Sequence, residues 1–93
     1  MSLNKKELIR EISERTNLSQ KQATEALDAF VELVPKELSQ GRDVRLMGFG
    51  TFTTRVRPAR EALVPNTGEK VNVPEKRVPA FKPGKYLKEK VNF

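Results

Sequence analysis

Apolar positions in residues 1–40 recur at helical spacing and predict two helices. Leu8, Ile9 and Ile12 form a first, short apolar stripe. A second, longer stripe consists of Ala23, Ala26, Leu27, Phe30, Val31, Val34 and Leu38. Residues three or four positions apart share one face of a helix, so we expect an antiparallel helical hairpin with an apolar seam over residues 4–41.

The predicted helices carry start and stop signals. Asn4 and Glu7 have the spacing of a capping box, in which each residue satisfies a backbone N–H of the other. Ser19 and Gln22 have the same spacing at the start of the second helix. Gly41 follows the last apolar position and is typical of the residue just beyond a helix end.

Pro35 interrupts the second helical pattern. Within a helix it removes the hydrogen bond to the carbonyl of Val31 and its ring clashes there, at a cost of about 3 kcal/mol. The helix therefore either bends at this point or ends and restarts with Pro35 in a first turn. We favour a kink, because Leu38 continues the same apolar face.

The period changes after residue 42. Val44 and Leu46, followed by a Gly48–Gly50 pair, predict two short strands that meet at a tight turn. Strict alternation then begins, as expected for a strand. One face would carry Thr51, Thr53, Arg55 and Arg57, and the other Phe52, Thr54 and Val56.

A turn and two further elements complete the pattern. Residues 62–70 (ALVPNTGEK) contain Pro65, Asn66 and Gly68, so we expect this segment to separate two strands and belong to neither. The chain then returns as a strand in which Pro74 is tolerable only at an edge or a bulge. Residues 82–92 predict a short C-terminal helix with a proline near its start.

Composition excludes several classes of function. The chain of 93 residues contains neither Cys nor His, which removes disulfides, thiolate metal sites and the commonest general base. No acidic pairs cluster in residues 41–93, so we expect no enzyme, no cofactor and no metal site. No apolar run approaches the roughly 20 residues that span a bilayer, so we expect a cytoplasmic protein without membrane partners.

The net charge of +6 is unevenly distributed. Residues 1–40 carry six Lys/Arg and seven Asp/Glu, a net charge of −1, whereas residues 41–93 carry twelve Lys/Arg and five Asp/Glu, a net charge of +7. This segregation favours a polyanionic partner. The predicted long hairpin has little apolar bulk, and a lone two-stranded ribbon is marginal in water. We expect it to lie along the phosphates of a polyanion; a flexible charged loop is the alternative.

Four separated stretches of the chain resemble the HU and integration host factor family of bacterial DNA-bending proteins. They are LMGFGTF (46–52), RVRPAR (55–60), PNTGE (65–69) and RVPAFKPGKYLK (77–88). The preceding helix pair also fits, so the resemblance covers essentially the whole chain as a single domain, residues 1–93. It implies an α+β fold assembled as an intertwined dimer. Its parts are an N-terminal helical hairpin (4–41), a short antiparallel sheet with a long β-ribbon arm (42–81, tip about 61–69) and a short C-terminal helix (82–92).

The resemblance also implies which residues act. The two arms of the dimer reach around the duplex, and Pro65 wedges between base pairs from the minor groove. Lys82 and Lys85 match the basic start of the last helix, where a phosphate can be held. The implied DNA-binding residues are Arg55, Arg57, Arg60, Pro65, Asn66, Lys70, Lys76, Arg77, Lys82 and Lys85. The implied dimer core consists of Phe49, Phe52 and Phe81, which meet their counterparts across the two-fold axis.

The arm tip departs from the family pattern. The family usually reads Arg-Asn-Pro there, and this chain reads Leu63-Val64-Pro65. The wedge is kept, but the groove-lining arginine and its polar neighbour are missing. Tip affinity and bend angle therefore stay open.

These observations together predict a non-catalytic, nucleoid-associated protein that binds double-stranded DNA with little sequence specificity, bends it and compacts it. A sequence-specific bender of the integration host factor type is one alternative, and a binder of structured RNA as well as DNA is another. We expect a homodimer, with a heterodimer with a paralogue as the alternative. A preference for nicked or kinked DNA is left open.

Overall fold

The computed structural model describes residues 2–92, which form three helices and five strands. The chain divides into two compact units, the first ending at Lys36 and the second beginning at Glu37. Helix α1 (Lys5–Arg15) and most of α2 (Gln20–Ser39) lie in the first unit. The second unit contains the end of α2 and then β1 (Val44–Leu46), β2 (Gly50–Arg57), β3 (Arg60–Leu63), β4 (Lys70–Val73), β5 (Lys76–Pro83) and α3 (Lys85–Val91).

Both predicted capping boxes are confirmed. The backbone N–H of Glu7 donates to Asn4 Oδ1 at 2.9 Å, and the N–H of Asn4 donates to Glu7 Oε1 at 3.5 Å. At the start of α2, the N–H of Gln22 donates to Ser19 Oγ at 3.1 Å and the N–H of Ser19 donates to Gln22 Oε1 at 2.9 Å. These bonds satisfy N–H groups that have no partner within the helix, so the local sequence fixes both helix starts.

The first unit holds a helical hairpin with a thin core. Lys5 Nζ lies 2.8 Å from Asp28 Oδ1, which joins the start of α1 to the middle of α2, as an antiparallel pair requires. Ala23 is fully buried, whereas Val31 is 59% and Leu33 52% exposed. A single chain therefore leaves much of the apolar face of α2 uncovered. None of the helices within residues 2–92 is long and apolar enough to cross a membrane.

Helix α2 runs without a break through Pro35, so of the two alternatives the one in which it ends and restarts is wrong. The helix ends as Gly41 predicts. Gly41 adopts φ +78°, its N–H donates to the carbonyl of Leu38 at 3.1 Å, and the N–H of Arg42 donates to the carbonyl of Glu37 at 2.9 Å. This pair of bonds is the Schellman arrangement, which favours glycine because its central residue is left-handed.

Two separate antiparallel ladders make up the β-structure. In the first, here called the proximal sheet, the strand order is β1-β2-β5, and β2 pairs with β5 from Gly50↔Pro83 to Arg57↔Lys76. In the second, here called the distal ribbon, β3 pairs with β4. The two ladders are separated by residues 58–59 on one side and 74–75 on the other. Pro58 and Pro74, which lack an N–H, stand at this break. The single returning strand that the sequence predicted is therefore wrong: it is two strands, and Pro74 lies between them and not at an edge or bulge within one.

Two predicted boundaries are wrong. Residues 62–70 do not lie outside the strands, because Ala62 and Leu63 belong to β3 and Lys70 to β4. Cross-strand pairing between β3 and β4 continues almost to the turn and overrides the turn signals of the segment. The C-terminal helix starts at Lys85, since Lys82 and Pro83 pair with β2 as the last residues of β5.

Candidate nucleic-acid interface

The register of the proximal sheet collects positive charge on one face. Residues directly opposite each other on antiparallel strands share a face, and faces alternate along each strand. Thr51 pairs with Lys82, and Arg57 pairs with Lys76. Arg55, opposite Val78, lies on the same face as these pairs. We call this surface the cationic face; its charged residues are Arg55, Arg57, Lys76 and Lys82.

The cations of this face form no ion pair within the described chain. Among residues 2–92, no ion pair or hydrogen bond engages the side chains of Arg55, Arg57, Lys76 and Lys82. All four residues are exposed. An acidic group reaches this face at Thr53, whose Oγ1 donates to Asp43 Oδ1 at 2.7 Å. Side chains of one sign that are held on one surface repel each other, and an external anion removes that repulsion.

The opposite face of the proximal sheet is aromatic and brings the three predicted core residues together. Phe52 lies opposite Phe81, with ring centroids 4.9 Å apart, and the centroids of Phe49 and Phe81 are 5.6 Å apart. These tilted geometries are favourable for aromatic pairs. Phe49 nevertheless stays 44% and Phe81 39% exposed in the single chain. The cluster is therefore assembled, and a large part of its surface is left uncovered.

In the distal ribbon, two of the predicted DNA-binding residues lie on opposite faces. Arg60 lies opposite Val73 and Ala62 opposite Val71, so these four residues share one face. Lys70 lies opposite Leu63 on the other face. Residues 62 and 73 are half-buried, so a small apolar row runs along the face that also carries Arg60. The row cannot be found from the sequence, because only the register between the strands aligns its members.

The tip of the arm is a compact turn closed by the backbone of Val64. Its N–H donates to the carbonyl of Glu69 at 2.8 Å, and its carbonyl accepts from the N–H of Gly68 at 2.8 Å and of Thr67 at 3.3 Å. Pro65 and Asn66 are exposed at the outer end of this turn. Leu63 is also 65% exposed, so the tip presents a leucine beside the proline.

The remaining basic candidates lie at the base of the arm. Lys82 is the second-last residue of β5, and Lys85 is the first residue of α3. The start of α3 is fastened to the β1–β2 turn, because the N–H of Gly84 donates to the carbonyl of Phe49 at 2.8 Å. Both lysines are exposed.

Arg77 differs from the other predicted contacts. It lies opposite Val56, on the aromatic face and away from Arg55 and Arg57. Its Nη2 lies 3.3 Å from the carbonyl oxygen of Ser39 and 3.5 Å from that of Leu38, both in the last turn of α2. The spacing of charged residues along the sequence does not predict this contact.

Comparison with known proteins identifies the family. Residues 3–92 match the family model described as "Bacterial DNA-binding protein". The chain is 47% identical over 89 residues to the DNA-binding protein HU of Geobacillus stearothermophilus, covering 96% of this chain and 99% of that protein. It is 49% identical over 90 residues to the DNA-binding protein HU of Clostridium pasteurianum, covering 97% and 99%. The Anabaena HU–DNA cocrystal structure superposes with a TM-score of 0.88 at 44% identity, covering 96% of this chain and 97% of that one.

The chain belongs to the HU family of bacterial DNA-binding proteins. This membership confirms the family resemblance and, with the elements described above, the predicted α+β architecture of helical hairpin, sheet with arm and terminal helix. The family is one of structural DNA-binding proteins and not of enzymes, as the sequence predicted.

Proposed function

We propose that this protein is an architectural DNA-binding protein that contacts the duplex mainly through its phosphates and bends it, with little dependence on base sequence. The observation that carries this proposal is the cationic face, whose Arg55, Arg57, Lys76 and Lys82 have no ion-pair partner within residues 2–92. Charges of this kind bind the uniform backbone of DNA rather than its base edges. The expected setting is the cytoplasm, on the nucleoid, where such binding compacts DNA.

The arm extends the contact beyond the proximal sheet. Arg60 and Lys70 lie on opposite faces of the distal ribbon, so a ribbon lying in the minor groove would direct one toward each flanking strand of phosphates. Pro65 and Asn66 stand at the exposed end. We assign Pro65 as the wedge that enters between base pairs, with Asn66 beside it at the groove. Lys82 and Lys85 would hold DNA nearer the base of the arm.

The active form is a dimer, most simply a homodimer. The buried hydrophobic residues within 2–92 are Ala23 and Leu38 alone, which is too little for a stable fold of this length. Phe49 and Phe81 form an aromatic cluster that is still 44% and 39% exposed, and in the first unit Val31 is 59% exposed. A second copy that covers these surfaces couples folding to association and supplies two arms from one arm sequence.

One titration tests the proposal. The affinities for linear, nicked and pre-kinked DNA, and for a matched RNA duplex, are measured by fluorescence anisotropy at several salt concentrations. We expect linear duplexes of different sequence to bind alike, with a steep negative slope of log affinity against log salt. Strong preference for one sequence would favour a bender of the integration host factor type, and equal affinity for RNA would extend the function to structured RNA. A shallow slope on every substrate would contradict the phosphate-based mechanism.

The oligomeric state is tested separately by sedimentation. We expect a single species of twice the chain mass at micromolar concentration. A folded monomer there would contradict the dimer, and a stable dimer that forms only after a paralogous chain is added would replace the homodimer by a heterodimer.

A further inference from the structure

We propose that Arg77 is a positioning residue that fixes the base of the arm to the carboxyl end of α2, and that it does not contact DNA. The proposal rests on the proposed function in one respect, namely that the cationic face is the surface that DNA occupies. The role of Arg77 at the end of α2 depends only on the contacts of its own side chain.

Arg77 lies on the face of the sheet opposite to the cationic face. The β2–β5 register puts it opposite Val56, so its side chain leaves the sheet on the aromatic face. Its neighbour Lys76, opposite Arg57, leaves on the cationic face. A phosphate lying against the cationic face is therefore within reach of Lys76 and separated from Arg77 by the sheet itself.

The side chain of Arg77 meets the carboxyl end of α2. The last carbonyls of a helix lack partners within the helix and carry its negative end, so a cation is favourable there. The Schellman turn occupies the carbonyls of Glu37 and Leu38, and Arg77 lies nearest the carbonyl of Ser39, at 3.3 Å. Its contact with the Leu38 carbonyl, at 3.5 Å, is long for a hydrogen bond, so the attraction is chiefly that between the cation and the helix end.

A second arginine strengthens the same helix end. Arg42 donates from Nε to Glu37 Oε1 at 3.1 Å and from Nη2 to Glu37 Oε2 at 2.8 Å, a forked pair. The hydrogen bond to Glu37 and its charge raise the pKa of Arg42 above its usual value. The turn that receives Arg77 is therefore itself held in place, and it can serve as a fixed point for the strand.

The contact of Arg77 lies close to the break between the two ladders. Val56↔Arg77 is the second-last pair of the β2–β5 ladder, and Arg57↔Lys76 is the last. Beyond it the ladder stops at Pro58 and Pro74. Arg77 thus stabilises the two outermost residue pairs of the β2–β5 ladder. The direction in which the arm leaves the proximal sheet depends on whether these pairs stay hydrogen-bonded.

The test compares Arg77→Ala with Lys76→Ala, two adjacent cations on opposite faces. Amide hydrogen exchange of residues 54–57 and 76–78 is measured on the free protein, and the salt slope and bend angle are measured on a labelled duplex. A cation at a helix end contributes about 0.3–1 kcal/mol, so Arg77→Ala should speed local exchange about two- to fivefold. Lys76→Ala should leave exchange unchanged and lower the log–log salt slope by about 0.9 for each phosphate that is no longer neutralised.

Three results decide the proposal. An unchanged salt slope with faster exchange and an altered bend for Arg77→Ala, reversed by Arg77→Lys, supports it. A fall in slope equal to that of Lys76→Ala, with exchange unchanged, overturns it and makes Arg77 a DNA contact. If Lys76→Ala leaves the slope unchanged, the cationic face fails as the DNA surface, and the exchange data still decide the role of Arg77 at the helix end.

Discussion

The proximal sheet and the distal ribbon are both antiparallel and built from neighbouring segments, yet their side chains differ. The proximal sheet has three strands and an aromatic face on which Phe52 and Phe81 lie 4.9 Å apart. The distal ribbon has two strands and no aromatic residue among residues 60–73. Along β2 the residues pass from a buried Gly50 to exposed positions from Arg55 outward. Burial is thus lost gradually on the way to the arm.

This difference indicates which region stabilises the fold and which region extends away from it. Large apolar side chains that interlock provide most of the free energy of folding, so the proximal sheet carries the fold. The distal ribbon is held by its backbone ladder, and its apolar residues are at most half-buried, so changes there should alter binding and leave folding intact. The break at Pro58 and Pro74 lies between the two regions and separates their hydrogen-bond ladders.

The largest contrast should follow from removing one apolar side chain from each region. Phe81→Ala should lower the free energy of unfolding by about 3–5 kcal/mol, as for a buried aromatic residue, because in the proposed dimer a second copy covers the surface that the single chain exposes. Val71→Ala, in the distal ribbon, should change it by less than about 0.5 kcal/mol. Urea unfolding of the two variants measures both. Equal costs would mean that the ribbon shares the core, and a small cost for Phe81 would mean that no partner covers it.

Two glycines, Gly50 in the proximal sheet and Gly68 in the tip turn, allow the same comparison of stability. A Cβ at Gly50 would collide with the ring of Phe81 and lie 2.7 Å from the carbonyl oxygen of Lys82. Gly50 also has φ +157°, which L residues rarely adopt, so Gly50→Ala should cost at least about 1–3 kcal/mol through overpacking and backbone strain together. Gly68, in the tip turn, has φ +71° and nothing within 4 Å of where a Cβ would stand, so Gly68→Ala should cost only the strain of a left-handed alanine, about 1 kcal/mol. Thermal unfolding distinguishes them, and a reversed order would contradict the assignment of stability to the proximal sheet.

Single cations from each region test how far DNA contact extends. Arg57→Ala in the proximal sheet and Arg60→Ala in the distal ribbon should each lower the log–log salt slope by about 0.9 for each phosphate released, on all sequences alike. Unfolding should be unaffected, because both side chains are exposed. An effect confined to Arg57 would restrict binding to the proximal sheet. An effect confined to one DNA sequence would indicate base readout.

The wedge should act on DNA shape more than on affinity. Pro65→Ala should leave unfolding unchanged, since Pro65 is exposed at the tip, and should reduce the bend angle measured by fluorescence transfer. Its affinity for linear duplex should fall less than its bending, and its preference for nicked or kinked DNA should shift. Thr67→Ala, in the same turn, is the control. Unchanged bending would leave Pro65 with only the role of a turn residue.

The smallest effect concerns the departure from the family pattern. The double change Leu63→Arg, Val64→Asn should tighten binding and steepen the salt slope by up to about 0.9 per arm if the arginine reaches a phosphate. The exposure of Leu63, 65%, leaves room for the longer side chain. Weaker binding to pre-kinked DNA would show instead that the apolar pair extends the wedge. No change in either quantity would show that the tip does not touch DNA.

Much of the fold was predictable, because it depends on local chemistry. The two capping boxes, the Gly41 stop and the alternation along β2 are all determined by residues within a few positions of one another. Such patterns act through the backbone of their own segment and need no distant partner. The charge segregation and the separated motifs are likewise visible in the sequence, and they indicate DNA binding without knowledge of the fold.

Tertiary structure decided what depends on register and on distant neighbours. Arg60, Lys70 and Arg77 are equivalent as charges in the sequence, yet pairing places Arg60 and Lys70 on opposite faces of the ribbon. Arg77 is 38 residues from Ser39 in the chain and meets its carbonyl only once β5 is paired. Because faces alternate at every residue, a shift of one position in register would exchange them all. The sequence by itself therefore determined which residues carry charge, and the pairing of the strands determined where each charge points.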